Sequence, residues 1–430
     1  MKKIIEKIPG YDFAVLPYHK LVAATAAAKH GFPAKNMKVI GVTGTNGKTT
    51  TSFMIYRMLK EAGKKVALMT TVAYGIGDDI KPQVEHLTTA SSGLLNERMR
   101  EVADAGAEYL VLEITSHALA QYRAFGVPFD IAVMTNVTHE HLDYHRTFER
   151  YRDAKRKLFQ LTDKNGKGAR TGIVNADDKS AGLFVSDIKT AVTYGQKDGD
   201  LKARQVKLLP GGVDYFVKRD GRKLHIRTQI PGDFNVYNSL AAVAVGLEYG
   251  LTDGEIENGI FALDYVEGRM NRIDEGQEFD VVMDYAHTPD SFEILFSDMR
   301  KTVKGNIIAV FGSAGGRRDP AKRPIQGEIA GKYADIVVLT EEDDRETPGM
   351  EILNQIAEGA EKSGKKHDDN LFLILDRPKA LKFALGKAKK GDMVLLLGKG
   401  NEKTIERADG AHEYSEEKTA RTLLKELTKK

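Results

Sequence analysis

KVIGVTGTNGKTTTSFMIYRMLKEAG, residues 38–63, reads as a short apolar strand, a glycine-rich turn and a helix, with a second strand, KKVALMT, at 64–70. That is one strand–helix–strand unit of a parallel sheet. The turn carries the chemistry. Gly44, Thr45, Asn46 and Gly47 place backbone N–H groups before a helix N-terminus, an arrangement suited to phosphate oxygens, and Lys48, Thr49 and Thr50 open the helix. Lys48 would neutralise the outer phosphates of a nucleoside triphosphate, and Thr49 would ligate Mg²⁺. A strict phosphate-loop pattern asks for glycine at position 42, where Val42 stands. A purely structural glycine turn is the bland alternative, and Gly-Lys-Thr-Thr directly after a strand speaks against it. The loop alone does not choose between a kinase, a GTPase switch, a motor ATPase and a ligase.

Outward from the loop, the apolar runs AEYLVLEIT (107–115), FDIAVMTN (129–136) and TGIVNAD (171–177) continue the alternation of strand and helix expected of a mostly parallel sheet covered on both faces. The more polar segment 198–227 contains Asp220-Gly221 between alternating runs, which predicts a hairpin. After Gly268 a second series begins: FDVVMDY (279–285), NIIAVFGSAGG (306–316), ADIVVLT (334–340), NLFLILD (370–376) and GDMVLLLGKG (391–400). The expectation is an α/β chain with a short amino-terminal extension at 1–37. A central P-loop-type domain with a mostly parallel sheet follows at 38–266, and a carboxy-terminal Rossmann-like domain at 267–430. The last segment, 416–430, is read as a solvated surface helix with a basic end.

Composition narrows the chemistry. The chain has 430 residues, and 64 Lys+Arg against 61 Asp+Glu leave a formal charge of +3, so no electrostatic case exists for a nucleic acid or an anionic membrane as partner. Cysteine is absent, which excludes disulfides, thiolate zinc sites and a cysteine nucleophile; any metal must be held by oxygen or imidazole. Pro9-Gly10, Pro17, His19 and Lys20 interrupt the amino terminus, so neither a membrane span nor a signal-peptide core is expected there. Leu21 to Ala28 would pack on the domain beneath it or touch a membrane surface. A soluble, cytoplasmic enzyme with small-molecule ligands fits these bounds.

Other residues have chemical readings of their own. Glu113 closes an apolar strand on the side of the phosphate loop, where a hard oxygen ligand would serve Mg²⁺. His139, His141 and His145 crowd with Glu140 and Asp143, as a metal cluster or as a loop cap. Lys155 lies beside a helical stripe of Tyr151, Ala154, Leu158 and Phe159, a position that usually leaves a lysine solvated. Asn235 and Asn238 would bind a nucleotide or simply cap a helix.

Further segments extend the pattern: LTTAS (87–91), LEITSHALAQYR (112–123), TNVTHEHLDYH (135–145), YRDAKRKLF (151–159), GDFNVYN (232–238), EGRMNRI (267–273), DYAHTPDSF (284–292), GSAGGRRDPAKRP (312–324) and LGKGNE (397–402). With TGTNGKTT at 43–50, they make the chain resemble the Mur ligases over about residues 38–402, closest to the tripeptide-forming, MurE-type branch. The resemblance implies an ATP-dependent amide-bond ligase that activates a carboxylate as an acyl phosphate and joins it to an amine. It implies one Mg²⁺ on Thr49 and Glu113 and a second on His141 and Lys155. In that family the matching lysine is carbamylated, which draws on CO₂ or bicarbonate. By the same match, Asn235, Asn238, Arg269 and Asp284 contact ATP. Thr88, Thr89, Thr115, Gln121 and Arg123 contact a nucleotide-linked muramoyl dipeptide, and Arg318, Arg345, Gly398 and Glu402 contact the incoming amino acid.

Three departures accompany the match. Glu342-Asp343-Asp344-Arg345 stands where the diaminopimelate signature is Asp-Asn-Pro-Arg, and Asn401 replaces the histidine of Gly-Lys-Gly-His-Glu, so diaminopimelate, lysine and another amine remain open as acceptors. The family also has a separate UDP-binding domain ahead of the phosphate loop, and residues 1–37 are expected not to supply one. The donor would then be held through its sugar and peptide, a protein partner would supply UDP recognition, or the donor would be another carboxylate of folate or poly-amino-acid type. From a different class, a non-catalytic nucleotide-binding paralogue is opposed by the intact set Lys48, Glu113, His141 and Lys155.

Overall fold

The computed structural model describes residues 16–83, 87–138, 140–209, 211–316 and 318–428. Pro9-Gly10, His139, the side chain of Asp143 and residues 429–430 lie outside the described residues. The chain divides into two compact units, the first running to Asp264 apart from 208–211 and 230–233, which group with the second; the second takes Tyr265 onward.

In the first unit, α1 (Leu16–Lys29) buries Ala23 and Ala27 and leaves Tyr18, Leu21 and Val22 exposed. No described helix is long and apolar enough to cross a membrane. Among the elements that follow are β1 (Lys38–Thr43), α2 (Lys48–Glu61), β2 (Val66–Met69), β3 (Ala73–Ile76), β4 (Asp79–Pro82), β5 (Tyr109–Glu113), α3 (Ser116–Ala120), β6 (Phe129–Met134), α4 (Phe148–Asp163), β7 (Thr171–Asn175), β8 (Thr190–Gly195) and β9 (Leu201–Lys202). The nine strands form one sheet in the order β4-β3-β2-β5-β1-β6-β7-β8-β9. From β2 to β9 all neighbours are parallel; β3 and β4 are antiparallel. That edge was not expected from the sequence, because four-residue strands with one half-exposed face give little periodicity.

The strand order fixes the site. β1 lies between β5 and β6, with Val42 opposite Glu113 and Thr43 opposite Met134. Parallel strands end on the same edge, so the loops after β1, β5 and β6 meet there, where the chain order switches sides. Helix α4 lies across β1: a Cβ on Gly41 would come within 2.7 Å of Leu158 Cδ1 and 2.9 Å of Phe129. Leu158 and Phe159 are fully buried, each contributing roughly 1.5–3 kcal/mol. Their packing carries Lys155, one turn earlier, into the interior.

A separate three-stranded sheet joins β10 (Arg204–Leu209), β11 (Gly212–Arg219) and β12 (Arg222–Thr228). Its hairpin turn has Asp220 at φ 52° and Gly221 at φ 78°, the left-handed pair that an Asp-Gly turn provides. The buried helix α5 (Phe234–Glu248) packs against α2.

The second unit has a sheet in the order β13-β14-β18-β15-β16-β17, from β13 (Asn271–Arg272), β14 (Asp280–Asp284), β15 (Ile307–Phe311), β16 (Ile336–Leu339), β17 (Leu371–Leu373) and β18 (Met393–Leu397). The five strands read from the sequence are parallel, and the two-residue β13 adds an antiparallel edge. A hairpin, β19 (Thr404–Arg407) and β20 (Gly410–Glu413), follows β18. Again the strand ends gather loops at one edge, here 285–288, 312–316, 340–347 and 398–403.

Candidate functional site

Two glycines let the phosphate loop lie flat on its neighbours. Gly44 has φ 151°, and a Cβ there would sit 1.8 Å from Thr135 Oγ1; Gly47 has φ 81°, and a Cβ would meet Asn238 Oδ1 at 2.3 Å. Side chains past the end of β6 hold the loop's shape. Asn46 N–H donates to Asn136 Oδ1 at 2.9 Å, Asn136 Nδ2 donates to Asn46 O at 3.0 Å, and Thr135 Oγ1 donates to the same carbonyl at 2.7 Å. Thr135 and Asn136 were not singled out from the sequence, although they open the TNVTHEHLDYH segment. Lys48 Nζ turns back onto Thr45 O at 2.7 Å, and Thr50 is buried beside it at the start of α2.

Thr49 Oγ1 donates to Glu113 Oε2 at 3.0 Å, and Thr71 N–H donates to the same oxygen at 3.0 Å. Glu113 is 1% exposed. A hydroxyl and a carboxylate side by side at the mouth of a phosphate loop form a hard-oxygen pair, the donor type that Mg²⁺ takes alongside phosphate oxygens and water. Among the described residues, no three His, Asp or Glu side chains gather as a ready-made metal cage.

Lys155 is 2% exposed, not solvated, and its Nζ donates to Gly44 O at 2.6 Å and lies 4.4 Å from the Tyr151 ring centre. Burial holds its amine well below the usual lysine range, and the charge of Lys48 pushes the same way. The Tyr151 hydroxyl pairs with Thr45 Oγ1 at 2.9 Å and donates to Glu140 Oε2 at 3.5 Å. His141 Nε2 is 3.7 Å from that Glu140 oxygen, and the residue sits at φ 55°. A non-glycine residue in this left-handed region costs of order 1–3 kcal/mol, a strain typical of functional sites. Lys155, Tyr151, Glu140 and His141 thus form one connected group against Gly44 and Thr45.

The other described histidine of the cluster packs on the same Tyr151 ring, at 5.4 Å, and takes a different partner. His145 is buried, with Nε2 3.0 Å from Ser116 Oγ. His117, which sequence reasoning passed over inside LEITSHALAQYR, packs against His141, Tyr144 and His145 at ring distances of 4.8, 4.3 and 5.2 Å. Burial, then His141, push its imidazole down to about 3, so it stays neutral at physiological pH.

Around the end of β5, Thr89 Oγ1 donates to Glu113 O at 3.1 Å and accepts from Thr115 N–H at 3.0 Å. Thr115 Oγ1 caps α3 by accepting from Ala118 N–H at 3.2 Å. Arg123 donates through Nη1 to Thr89 O at 2.7 Å, and through Nε and Nη2 to Gln121 Oε1 at 3.0 and 2.7 Å. Thr88 is half-buried next to this group. Asn235 and Asn238 lie inside α5, not ahead of it as caps. Asn238 Nδ2 donates to Asn235 Oδ1 at 2.9 Å, and Asn238 Oδ1 accepts from Thr51 Oγ1 at 3.2 Å.

In the second unit, Asp284 ends β14 and accepts from Met270 N–H at 2.8 Å and Ala286 N–H at 2.7 Å. Burial raises its carboxyl, and Arg269 opposes that shift. Arg269 lies 4.5 Å from the Tyr285 ring centre. The Tyr285 hydroxyl donates to Glu402 Oε1 at 3.3 Å. Lys399, 1% exposed, joins Glu402 to Asp343 with bonds of 2.6 and 2.8 Å. Gly398 turns the chain at φ 97°, Arg345 adopts φ 53° and donates through Nε to Glu406 Oε2 at 2.7 Å, and Arg318 is exposed. His287 is a loop anchor: its carbonyl accepts from Lys322 Nζ at 3.2 Å and Gln326 Nε2 at 3.0 Å.

A sheet-edge phosphate loop with an oxygen pair beside it defines a nucleotide-dependent phosphotransfer fold, and comparison with known proteins narrows the class. Residues 42–246 match the Mur ligase middle domain and 268–400 the Mur ligase, glutamate ligase domain. The chain belongs to the Mur ligase family, whose members are ATP-dependent, use Mg²⁺ and form a carbon–nitrogen bond. It is 41% identical over 421 residues to the UDP-N-acetylmuramyl-tripeptide synthetase of Roseiflexus sp. (strain RS-1), covering 94% of this chain and 82% of that protein. It is 38% identical over 411 residues to the UDP-N-acetylmuramoyl-L-alanyl-D-glutamate–2,6-diaminopimelate ligase of Geobacillus thermodenitrificans (strain NG80-2), covering 95% and 83%. A solved structure of a UDP-N-acetylmuramoyl-L-alanyl-D-glutamate–2,6-diaminopimelate ligase superposes with a TM-score of 0.65 at 29% identity, over 94% of this chain and 81% of that one.

Proposed function

We propose that this enzyme, acting in the cytoplasm, adds an amino acid to a muramoyl-peptide precursor of peptidoglycan. The observation that carries the reading is the pairing of Thr49 with Glu113 directly beside Lys48, with Lys155 buried against Gly44 of the same loop. ATP and Mg²⁺, when bound, supply the phosphoryl group that turns a carboxylate into an acyl phosphate, whose phosphate then leaves. The chain's own contribution is positioning and charge. The loop N–H groups and Lys48 offset the phosphate charge. Thr49 and Glu113 are the residues that would hold the metal.

Lys155 has a second task in this reading. Its amine donates to a backbone carbonyl and not to a carboxylate, and burial favours its neutral form, the form that attacks CO₂. One N–C bond forms, one proton leaves, and the amine becomes a carbamate that, with His141, would hold a second Mg²⁺. Thr88, Thr89, Thr115, Gln121 and Arg123 would contact the donor peptide. Residues 38–266 would form the ATP-binding domain. Residues 267–430 would bring Arg269 and Asp284 to the nucleotide, and Arg318, Arg345, Gly398 and Glu402 to the amino acid.

The test is phosphate release from ATP with Mg²⁺ and bicarbonate, using UDP-N-acetylmuramoyl-L-alanyl-D-glutamate and a panel of amino acids, with product masses read in parallel. Release that requires both donor and acceptor, with one new amide product, is expected. Protein that binds ATP yet shows no dependence on that donor rules the muramoyl assignment out.

A further inference from the structure

The strand order of the second sheet leaves two of its loops without a ladder bond between them. β15 stands between β18 and β16, so the sheet's own hydrogen bonds do not set the loop 398–403, after β18, against the loop 340–347, after β16. Lys399 joins the two from within, by donating to Asp343 Oδ1 at 2.8 Å. A second tie comes from outside both loops. Arg377 opens the helix α6 (Arg377–Lys387) and is fully buried. Its Nη1 donates to Glu341 O, in the loop after β16, at 2.9 Å, and its Nη2 donates to Leu397 O, at the end of β18, at 2.8 Å. The same guanidinium forks onto one carboxylate: Nε donates to Glu416 Oε2 at 2.8 Å and Nη2 to Glu416 Oε1 at 2.7 Å. Glu416, 1% exposed, opens the carboxy-terminal helix α7 (Glu416–Thr428). That helix is more than the solvated face expected of it, since Glu416, Ala420 and Leu424 are all buried.

Stability by itself does not call for this pair. A cation at the first position of a helix stands at the positive end of the helix dipole, and a buried guanidinium gives up its hydration. Burial works against the charge of Arg377, and Glu416 outweighs it by its own charge and hydrogen bonds. Apolar side chains of similar volume often replace a buried ion pair with no loss of stability. What they cannot do is donate to two backbone carbonyls at once. The planar guanidinium holds its donors in fixed directions, so with Glu416 on one side the remaining donors set Glu341 O and Leu397 O at one spacing.

We infer that Arg377 and Glu416 are positioning residues for the ligation step: Arg377 sets the end of β18 against the loop after β16, and Glu416, by fixing Arg377, makes α7 part of that support. The inference rests on the proposed function, in which Arg345 on one loop and Gly398 and Glu402 on the other meet the incoming amino acid. Neither Arg377 nor Glu416 is exposed, so both act through the loops. The support bears on how well any amino acid is held, not on which one is chosen. A positioned group that moves by about 1 Å costs on the order of 10²-fold in rate.

The test uses the full chain with ATP, Mg²⁺, bicarbonate, the muramoyl dipeptide donor and whichever amino acid gives product with the unaltered enzyme. Arg377→Met with Glu416→Leu replaces the pair by apolar side chains. It is expected to unfold cooperatively in denaturant, with the KM for the amino acid raised about ten-fold or more and the KM for ATP and for the donor unchanged. Arg377→Lys keeps a cation for Glu416 but gives up the fork, and is expected to raise the same KM by a smaller factor. A merely structural pair would lower the denaturant midpoint and the fraction of active enzyme, which reduces kcat and leaves each KM in place. An amino-acid KM equal to the parent's in the double variant, or all three KM values raised alike, overturns the inference. Where the double variant fails to fold, Arg377→Lys decides, and a parental amino-acid KM in it overturns the inference. No amide product from the unaltered enzyme, in protein that binds ATP and donor, overturns the proposed function and this inference with it.

Discussion

Lys155 in the first unit and Lys399 in the second are buried to the same degree, at 2% and 1% exposure, yet their surroundings give them opposite chemistry. Lys155 donates to the carbonyl of Gly44, with another cation, Lys48, close enough to disfavour its charge; burial drives its amine toward neutrality. For Lys399, burial acts in the same direction, but Glu402 and Asp343 outweigh it and hold the ammonium above the usual lysine range. Burial alone therefore does not say whether a lysine is a nucleophile or a structural cation. Its hydrogen-bond partner does.

The comparison breaks most visibly in stability. Lys399→Met leaves the buried Asp343 and the half-buried Glu402 without their shared cation and is expected to cost about 3 kcal/mol, read as a drop in the denaturant midpoint; a loss under 1 kcal/mol contradicts the structural role. Lys155→Met breaks a bond to a carbonyl and no ion pair among the described residues, so it is expected to fold with a midpoint at or above the parent's near neutral pH. It should lower the donor-dependent rate by on the order of 10²–10³-fold, the loss typical of removing one transition-state group. A variant of full activity would remove Lys155 from the machinery.

A smaller effect separates the two by pH. The folded Lys155 amine binds fewer protons than the unfolded one between its lowered value and the ordinary lysine value of 10.5. Its contribution to stability therefore rises with pH through that window, and any advantage of Lys155→Met is largest near neutrality and shrinks on the way to 10.5. Lys399 has its value raised, so its contribution is fully present below 10.5 and is lost only as the pH climbs past that point toward the folded value. Unfolding curves for both variants from pH 7 to 10 check this. The slope expected from Lys155 is at most about 1.4 kcal/mol per pH unit, and a flat difference contradicts it.

Much of the fold was legible because its signals are local. The run Lys38 to Gly63 carries its strand, turn and helix within a few dozen residues, and the five apolar runs after Gly268 announce a parallel sheet by their length and spacing. The Asp220-Gly221 turn is set by two residues. Thr49 was expected on Mg²⁺ as a phosphate-loop residue and Glu113 as a strand end on the same side, the family resemblance implied one metal for both, and the structure brings their side chains to 3.0 Å. The edge strands β3 and β4, Asn136 against Asn46, and His117 among its aromatic neighbours carried no comparable signal. Each depends on a partner distant in sequence or on a face only four residues long.

The amino-acid sequence by itself determined the phosphate loop, the two series of strands, the lack of thiol chemistry and the order of segments that ties the chain to its family. Those features follow from residue type at short spacing, where backbone geometry leaves few alternatives. Tertiary structure decided which charges are paired. It put Lys155 on a carbonyl and Lys399 between two carboxylates, set His141 beside Glu140 and His145 on Ser116, and gave Arg345 to Glu406. An ionisable group's chemistry depends on desolvation and on neighbours within a few ångströms, and in a folded chain those neighbours come from strands and loops far apart in sequence.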